Sequence, residues 1–349
     1  MVTIYDVAAQ AGVSPATVSR VFNGMKVKPS LAESVRRAAD ELGFIPNRNA
    51  RRLRTSSSEI IAMMIPDIEN PFFTVMTRAV GDIARAKGYS VMLCNTDEEP
   101  AREEEYLRAA VSDPVAGIIC VPSGRTTNLD FALERNVPVV CVDRRLPGYA
   151  VDAVVGNNIE GAALATRTLF GIGYRRVACV SGPEGVETAD DRFKGWALAY
   201  SEVTGSAPPP TLSVRTSYTV SGGESAAVQL LVQHEPPDAI IAANNKLASG
   251  VLRVLAAAEK LPPVTGLVAF DGLPLMMISP IGVHVAYLPA REMGETAAKM
   301  LLERIGGLRE PAREVVLPVM VRAEESGISL LGERVLSAAP GNEGAPQPS

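Results

Sequence analysis

The sequence predicts two kinds of fold in one chain: a small all-α helix-turn-helix module, then a larger α/β part built from doubly wound parallel sheets in two lobes. Short segments at the start carry apolar residues at helical spacing. From residue 59 onward, short apolar runs alternate with helical patterns, which is typical of parallel strands covered by helices. This alternation occurs in two successive sets within a chain of 349 residues, which is long for a single domain.

The first helix is predicted by a capping signal followed by an apolar stripe. Thr3 is placed to cap the helix, and Asp6 three residues later completes a T-x-x-D capping box. One face of the helix is apolar and consists of Ile4, Val7, Ala8 and Ala11. Gly12 then ends the helix, because glycine is unfavourable in a helix interior.

A second short helix follows after a tight turn. Ser14 stands at its N-cap, and Pro15 stands at the first helical position, where the missing N–H costs nothing. Its inner stripe consists of Val18, Val21 and Phe22. The side chains left facing solvent are small or polar, apart from one long one, and are Pro15, Ala16, Thr17, Ser19 and Arg20. Because Arg20 can reach a base edge, this pattern is typical of a helix that enters a DNA major groove.

A third helix and a basic segment make the pattern specific. The helix is predicted over 30–43, with an inner face of Leu31, Val35, Ala38, Ala39 and Leu42. The stretches VTIYDVAAQAGVSPATVSRVFNG at 2–24 and ADELGFIPNRNARRLRT at 39–55 closely resemble the lactose-repressor (LacI/GalR) family of bacterial transcription regulators. PDIENPFF at 66–73 and the pattern of the following chain extend this resemblance over roughly residues 2–331.

The resemblance implies DNA contacts from a helix-turn-helix domain at 1–46 and from a hinge and linker at 47–58. In the domain, the expected contacts are Thr3, Ser14, Pro15, Ala16, Thr17, Ser19, Arg20, Asn23 and Lys26. In the hinge, they are Asn47, Ala50, Arg51, Leu53 and Arg54. The family's hinge helix orders on operator DNA, and Leu53 matches the leucine that it inserts between base steps. A flexible basic linker is the alternative interpretation of this segment.

The charge distribution favours a DNA-binding module on an acidic body. The net charge of −5 would by itself argue against a nucleic-acid partner. However, residues 1–58 contain nine Lys or Arg and four Asp or Glu, a net charge of +5, which leaves −10 on the rest of the chain. This asymmetry is typical of a DNA-binding protein with a separate regulatory part.

The four cysteines predict neither disulfides nor a metal site. Cys94, Cys120, Cys141 and Cys179 each lie in an apolar strand-like run, and no two have C-x-x-C spacing. We therefore expect buried thiols in a reducing compartment, with no cofactor and no metal.

No signal peptide precedes the first helix, and no apolar run reaches membrane-spanning length. The expectation is a cytoplasmic protein that has no membrane partner.

For the larger part, the resemblance implies the two-lobed fold of periplasmic sugar-binding proteins over 59–331. In that fold the chain crosses between the lobes three times. We place the first lobe at about 59–156 and 289–318, and the second at about 157–286 and 322–331. The tail at 332–349 is rich in Gly, Pro and Ala and lacks leucine heptads, so we expect it to be disordered and the protein to be a homodimer.

Ligands of open α/β sheets bind beyond the carboxyl ends of the strands, where this sequence places polar and aromatic residues. The resemblance and this position together select Phe72, Phe73, Asp143, Arg144, Arg192, Asn244 and Asp271 as effector-binding residues. Carboxylates and amides bind hydroxyl groups, and an aromatic face covers the C–H side of a sugar ring. We expect Phe72 to face the ligand and Phe73 to begin the following helix. For Arg192 and Asp271, the alternative role is an ion pair between the lobes.

The sequence therefore predicts a ligand-responsive regulator, most simply a repressor that binds palindromic double-stranded operator DNA as a dimer and a carbohydrate-like effector in its cleft. A cytoplasmic sugar-binding protein and a nucleobase-responsive regulator of the same fold are the alternatives. An enzyme is disfavoured, because the chain has no G-x-G-x-x-G after a strand, no phosphate-binding loop and only two histidines, His234 and His284, without evident partners.

Overall fold

The structure is a computed structural model that describes residues 2–22, 25–44, 58–113, 115–124, 126–273 and 282–323. The chain divides into two compact units, Met1–Ser58 and Glu59–Ser349. Several predicted positions lie outside the described residues: Asn23, the hinge residues Asn47, Ala50, Arg51, Leu53 and Arg54, and the tail at 332–349. These remain sequence predictions.

The described part of the N-terminal unit contains three short helices around a small apolar core. They are α1 (Ile4–Ala11), α2 (Pro15–Phe22) and α3 (Pro29–Leu42). The capping box of α1 is formed, since the Thr3 hydroxyl accepts a hydrogen bond from the Asp6 N–H and the Asp6 carboxylate accepts one from the Thr3 N–H. Gly12 ends α1 in the left-handed region at φ 65°, where glycine is favoured. The buried residues of this core are Val7, Ala8, Val18, Val21, Val35, Ala38 and Ala39.

The prediction that Leu31 belongs to the inner face of the third helix is wrong. Leu31 is 38 % exposed and is not part of the apolar core. Because α3 begins at Pro29, Leu31 lies in its first turn, one turn before Val35, which is the first fully buried residue of the helix. Leu42, at the other end of α3, is half-buried against the core as predicted.

In the second unit, the first six-stranded sheet is entirely parallel and has the order β11-β5-β4-β3-β1-β2. Its strands are β1 (Ile60–Ile65), β2 (Ser90–Asn95), β3 (Gly117–Cys120), β4 (Val139–Val142), β5 (Asp152–Gly156) and β11 (Glu314–Leu317). Its helices are α4 (Pro71–Ala86), α5 (Pro100–Ser112), α6 (Asp130–Leu133) and α11 (Ala290–Ile305). We call this sheet and its helices the first lobe.

The second sheet has the order β12-β10-β9-β8-β6-β7, with β12 antiparallel to β10 and the other pairs parallel. Its strands are β6 (Val177–Ser181), β7 (Ser213–Arg215), β8 (Ala239–Ala242), β9 (Gly266–Phe270), β10 (Val283–Tyr287) and β12 (Met320–Ala323). Its helices are α7 (Asn158–Ile172), α8 (Glu187–Thr204), α9 (Val220–Leu231) and α10 (Asn245–Ala257). This sheet and its helices form the second lobe. The two sheets confirm the predicted α/β fold class.

The chain passes between the sheets three times, after β5, after β10 and after β11. The stretch EVVLPVMV is divided between the sheets: β11 ends at Leu317 and β12 begins at Met320. Pro318 lies at the break, and a proline has no N–H to donate to a strand ladder. The second lobe therefore resumes two residues before the predicted residue 322.

Helix α8 packs closely against α7. It begins at Glu187, so Arg192 lies in its second turn. At Gly195, one turn further on, a Cβ atom would collide with the carbonyl oxygen of Ile159 in α7. Glycine at this position therefore lets the two helices approach closely, which brings Arg192 next to the start of α7.

The four cysteines are buried and form no disulfide bonds, as the sequence predicts. Among the described residues, no helix combines the length and apolar character needed to span a membrane.

Candidate functional site

A cleft lies between the carboxyl ends of the two sheets of the second unit. It has an open volume of about 420 Å³ and brings together all seven residues selected from the sequence: Phe72, Phe73, Asp143, Arg144, Arg192, Asn244 and Asp271. Two of the side chains follow their strands directly in the left-handed backbone region, Asp143 after β4 at φ 68° and Asp271 after β9 at φ 65°. This backbone turn at the strand end is uncommon for residues other than glycine, and aspartate is among those that tolerate it.

Five further residues line the cleft: Asp67, Asn70, Glu98, Thr188 and Tyr218. Asp67 and Asn70 follow β1 but are not among the residues selected from the sequence. Glu98, Thr188 and Tyr218 were also missed. Glu98 and Tyr218 closely follow the ends of β2 and β7, so considering the residues after every strand, and not only after the most apolar ones, would have found these two. Thr188 lies in the first turn of α8, and no strand-end signal indicates it.

On the wall formed by the first lobe, Arg144 is held by a bidentate ion pair. Its Nη1 and Nη2 atoms donate to the two carboxylate oxygens of Glu98, each at 2.7 Å, and Nη1 also donates to the Pro122 carbonyl oxygen at 3.0 Å. The Arg144 side chain is 4 % exposed. Glu98 has a left-handed backbone, φ 59°, in the loop after β2. The pair fixes the guanidinium plane next to Asp143, whose Oδ2 lies 3.7 Å from Arg144 Nε.

On the wall formed by the second lobe, Arg192 ties three elements together. Its Nε donates to Asn158 Oδ1 at 2.8 Å, and its Nη1 donates to the Ala243 carbonyl oxygen and to Asp271 Oδ2, the latter at 3.2 Å. The guanidinium also lies over the Phe270 ring, 4.4 Å from its centroid. The Arg192–Asp271 pair thus lies within the second lobe, so an ion pair between lobes, the alternative role, is wrong.

The aromatic part of the cleft comes from the first turn of α4. This helix begins at Pro71, not at Phe73, and Asn70 caps it by accepting a hydrogen bond from the Phe72 N–H at 3.0 Å. Both Phe72 and Phe73 are buried and both line the cleft, with their ring centroids 5.1 Å apart in an edge-to-face arrangement. The expectation that only Phe72 faces the ligand is therefore not supported by the geometry.

Buried carboxylate oxygens in the cleft are left without hydrogen bonds from the protein. Among the described residues, Asp143 Oδ1 and Asp271 Oδ1 are inaccessible to solvent and accept no hydrogen bond. Burial raises the pKa of Asp143 to about 7, with Arg144 and Arg192 partly opposing the shift, and burial likewise raises the pKa of Asp271. Two buried acceptors without partners suit a ligand that brings hydroxyl donors of its own.

Asp143→Asn should reduce the pH dependence of stability. Because the pKa of Asp143, about 7 when folded, lies above its value of about 3.9 in an unfolded chain, the folded state binds the proton more tightly. The stability that this proton provides is full below about pH 4 and is lost as the pH rises through about 7. We therefore expect the midpoint of thermal unfolding to fall more between about pH 5 and 8 in wild type than in Asp143→Asn.

The control for this comparison is Asp113→Asn, which removes an exposed carboxylate at the end of α5. Intrinsic fluorescence at constant ionic strength reports the midpoints. Equal slopes for wild type and Asp143→Asn would show that Asp143 ionises in the folded protein as it does in an unfolded chain.

Polar contacts between described residues join the lobes around the cleft. Lys246 Nζ lies 2.5 Å from Asp67 Oδ2, and Asn245 Nδ2 donates to Asn70 Oδ1 at 2.8 Å. On the other side, Arg145 Nη1 lies 2.5 Å from Glu187 Oε1. These contacts connect the start of α10 with α4, and the end of β4 with the start of α8, so the two walls are held facing one another.

In the N-terminal unit, the surface of α2 has the predicted character. Ala16, Arg20 and Lys26 are exposed, whereas Pro15, Thr17 and Ser19 are half-buried. Ser14 and Thr3 serve as caps: the Ser14 hydroxyl accepts from the Thr17 N–H at 3.2 Å, and the Thr3 hydroxyl lies 2.7 Å from an Asp6 carboxylate oxygen. A short helix is therefore left with one long, cationic, exposed side chain, which is what major-groove recognition requires.

A helix-turn-helix module in the same chain as a two-lobed ligand-binding unit defines a ligand-responsive, DNA-binding transcriptional regulator. Comparison with known proteins gives the family. Residues 3–47 match the family described as bacterial regulatory proteins, lacI family, and residues 58–325 match periplasmic binding proteins and sugar binding domain of LacI family. The chain belongs to the LacI family of repressors, and the resemblance inferred from its motifs is confirmed.

Individual relatives support this assignment. The chain is 34 % identical to the ribose operon repressor of Halalkalibacterium halodurans over 87 % of this chain and 91 % of that protein. It is similar to a solved complex of the transcriptional regulator CelR with cellobiose, at TM-score 0.71 and 28 % identity, covering 94 % of this chain and 100 % of that one. It is also similar to a LacI-family regulator from Enterococcus faecium with bound ribose, at TM-score 0.67 and 27 % identity, covering 76 % and 98 %.

Proposed function

We propose that this LacI-family repressor is controlled by a small neutral sugar, with ribose as the first candidate, and that it binds a palindromic operator as a homodimer. The observation that carries the effector proposal is the pair of buried, unpartnered oxygens of Asp143 and Asp271 in a cleft with aromatic side chains. Neither carboxylate has its hydrogen-bonding capacity filled by the protein, and vicinal hydroxyls are the donors that carboxylates accept best from a sugar.

The remaining lining residues fit the same ligand class. Asn244 uses its Oδ1 to cap α10, accepting from the Leu247 N–H at 2.8 Å, which leaves its amide N–H groups as donors toward the cleft. The Phe72 and Phe73 rings offer apolar surface for the C–H face of a sugar ring. Acceptors, donors and an aromatic surface are thus combined at one site, which a polyhydroxyl ring matches and a purely apolar ligand does not.

Two relatives support ribose as the first candidate among neutral sugars. A protein 34 % identical to this chain is named a ribose operon repressor, and a similar solved structure contains bound ribose. The complex of a similar regulator with cellobiose makes a disaccharide the natural comparison in the same experiment. A sugar-binding protein without regulatory function is the weaker alternative, because residues 3–47 match the DNA-binding family.

The effector proposal is tested on the full-length protein with operator DNA selected from random sequence. We expect D-ribose to raise the thermal unfolding midpoint and to change operator affinity in a gel-shift titration. Cellobiose and hypoxanthine serve as comparison ligands, the latter for a nucleobase-responsive regulator. A response to hypoxanthine and to neither sugar would contradict the proposal. The apparent mass on DNA reports whether two chains bind one operator.

Arg20→Ala should relax sequence specificity on DNA. Arg20 is the long, exposed cation of α2, and a bidentate contact to guanine contributes about 1–3 kcal/mol of discrimination. We expect operator affinity to fall by roughly that amount while affinity for random DNA changes little. The measurement is fluorescence anisotropy on both DNAs at one salt concentration.

The matched control for that experiment is Arg37→Ala, which removes an exposed cation of α3 outside the recognition helix. Equal loss of affinity on operator and random DNA in Arg20→Ala would show that Arg20 contacts only phosphate.

A further inference from the structure

The cleft contains more carboxylates than cations. Its lining includes four acidic side chains, Asp67, Glu98, Asp143 and Asp271, and two basic ones, Arg144 and Arg192. A third cation, Lys246, contacts Asp67 from the start of α10. When every carboxylate is ionised, the site is therefore negative even with this lysine included.

Each arginine is also already matched to a carboxylate of its own lobe. Arg192 pairs with Asp271 at 3.2 Å, and Arg144 pairs with Glu98 through two hydrogen bonds of 2.7 Å. Two parallel N–H···O bonds are the geometry in which an arginine also binds the carboxylate or phosphate of a ligand. Glu98 therefore occupies the two Nη groups of Arg144 that an anionic ligand would bind.

Glu98 is suited to this role by its position. Its side chain is 32 % exposed, so it lies where the cleft opens to solvent, whereas the Arg144 side chain is 4 % exposed. An entering anion would meet the partly exposed carboxylate of Glu98 before the buried guanidinium, and Asp143 Oδ2 lies 3.7 Å from the Nε atom of that guanidinium. Like charges held this close oppose binding.

We propose that Glu98 is a specificity-determining residue, which occupies both Nη groups of Arg144 from within the protein and thereby restricts the cleft to neutral sugars against sugar acids and sugar phosphates. This inference rests on the proposed sugar-binding function and adds the charge of the ligand to it. Specificity arises from the penalty on the wrong ligand, as well as from contacts to the right one.

The test compares D-ribose with D-ribonate by isothermal titration calorimetry on the full-length protein. For wild type at about pH 8.5, above the pKa of about 7 for Asp143, we expect ribose to bind at least about 100-fold more tightly than ribonate, because the anion faces unbalanced carboxylates. In Glu98→Gln, one charge is removed and Arg144 is released. We expect ribonate to bind at least about tenfold more tightly than it does to wild type, while ribose binding weakens.

Two variants serve as controls. Glu98→Asp keeps the negative charge and should keep the preference for ribose. Glu99→Gln makes the same charge change on the neighbouring residue, whose side chain is 59 % exposed and pairs with Arg102, and it should leave both affinities as in wild type.

The outcomes separate this inference from the proposed function. Ribose binding to wild type with equally tight ribonate binding would overturn the role of Glu98 but leave the sugar-responsive function standing. Weakened ribose binding in Glu98→Gln, without any gain for ribonate, would show that Glu98 only positions Arg144, and would also overturn the inference. If neither ligand binds to wild type, the proposed function itself fails.

Discussion

Asp271→Asn is expected to weaken effector binding by about 10- to 150-fold, the range for loss of one hydrogen bond to a charged group. Asp271 lines the cleft, one of its oxygens accepts from Arg192 at 3.2 Å, and the other has no partner among the described residues. In the variant, the amide can place an N–H group where the ligand needs an acceptor. Calorimetry with D-ribose measures the effect, and operator binding without ligand should be retained.

Asp113→Asn, with the same charge change far from any strand end of the cleft, is the matched control. Ribose affinity equal to that of wild type in Asp271→Asn would mean that the ligand is not bound at this strand end. Arg192→Ala is a poorer test than the sequence indicates, because Arg192 also binds Asn158 and the Ala243 carbonyl oxygen. Its loss would leave a buried carboxylate unpaired and destabilise the lobe as well as the site.

Asp152→Ala is expected to destabilise the protein by about 1.5–3 kcal/mol, the usual contribution of hydrogen bonding to a charged group, because the arginines left behind remain partly exposed. Its side chain has no solvent exposure and lies at the start of β5. It accepts from Arg304 Nε and Nη2 at 2.9 and 2.6 Å, and from the Arg313 backbone N–H at 2.8 Å. One carboxylate thus joins β5 to the end of α11 and to the start of β11.

The control for Asp152→Ala is Glu303→Ala. Glu303 also pairs with Arg313, at 2.8 Å, but its side chain is 53 % exposed, so we expect a change of at most about 1 kcal/mol. Urea unfolding followed by fluorescence and circular dichroism measures both variants. Similar midpoints for the two would show that Asp152 contributes no more than an ordinary surface pair.

The sequence was informative where a local pattern determines the structure. Asp143 and Asp271 could be placed at the cleft because a polar residue after a buried parallel strand lies at the edge of the sheet where ligands bind. Caps such as Thr3 and Ser14 could be assigned because their partners are three residues away. The structure gives these residues the predicted positions.

Long-range contacts could not be predicted in this way. The partner of Arg144 is Glu98, 46 positions earlier, in a run of acidic residues that resembles the solvated start of a helix. Its role depends on two consecutive left-handed residues, Asp97 and Glu98, which no periodicity indicates. The division of EVVLPVMV between two sheets likewise depends on which partner strands are already in place, which is a property of the tertiary structure.

Strands β5 and β11 are neighbours in the first sheet but lie far apart in the chain, and this separation matters while the protein is being synthesised on the ribosome. Strand β5 ends at Gly156, but its edge partner β11 begins only at Glu314, after nearly the whole second lobe has been synthesised. Until then the edge of β5, with Val154 and Val155, has no neighbour in the nascent chain, and an unpaired apolar edge favours association with other chains. The lobe whose strands leave the ribosome first therefore keeps one edge open until nearly the end of synthesis, and during that time the open edge favours association with other chains.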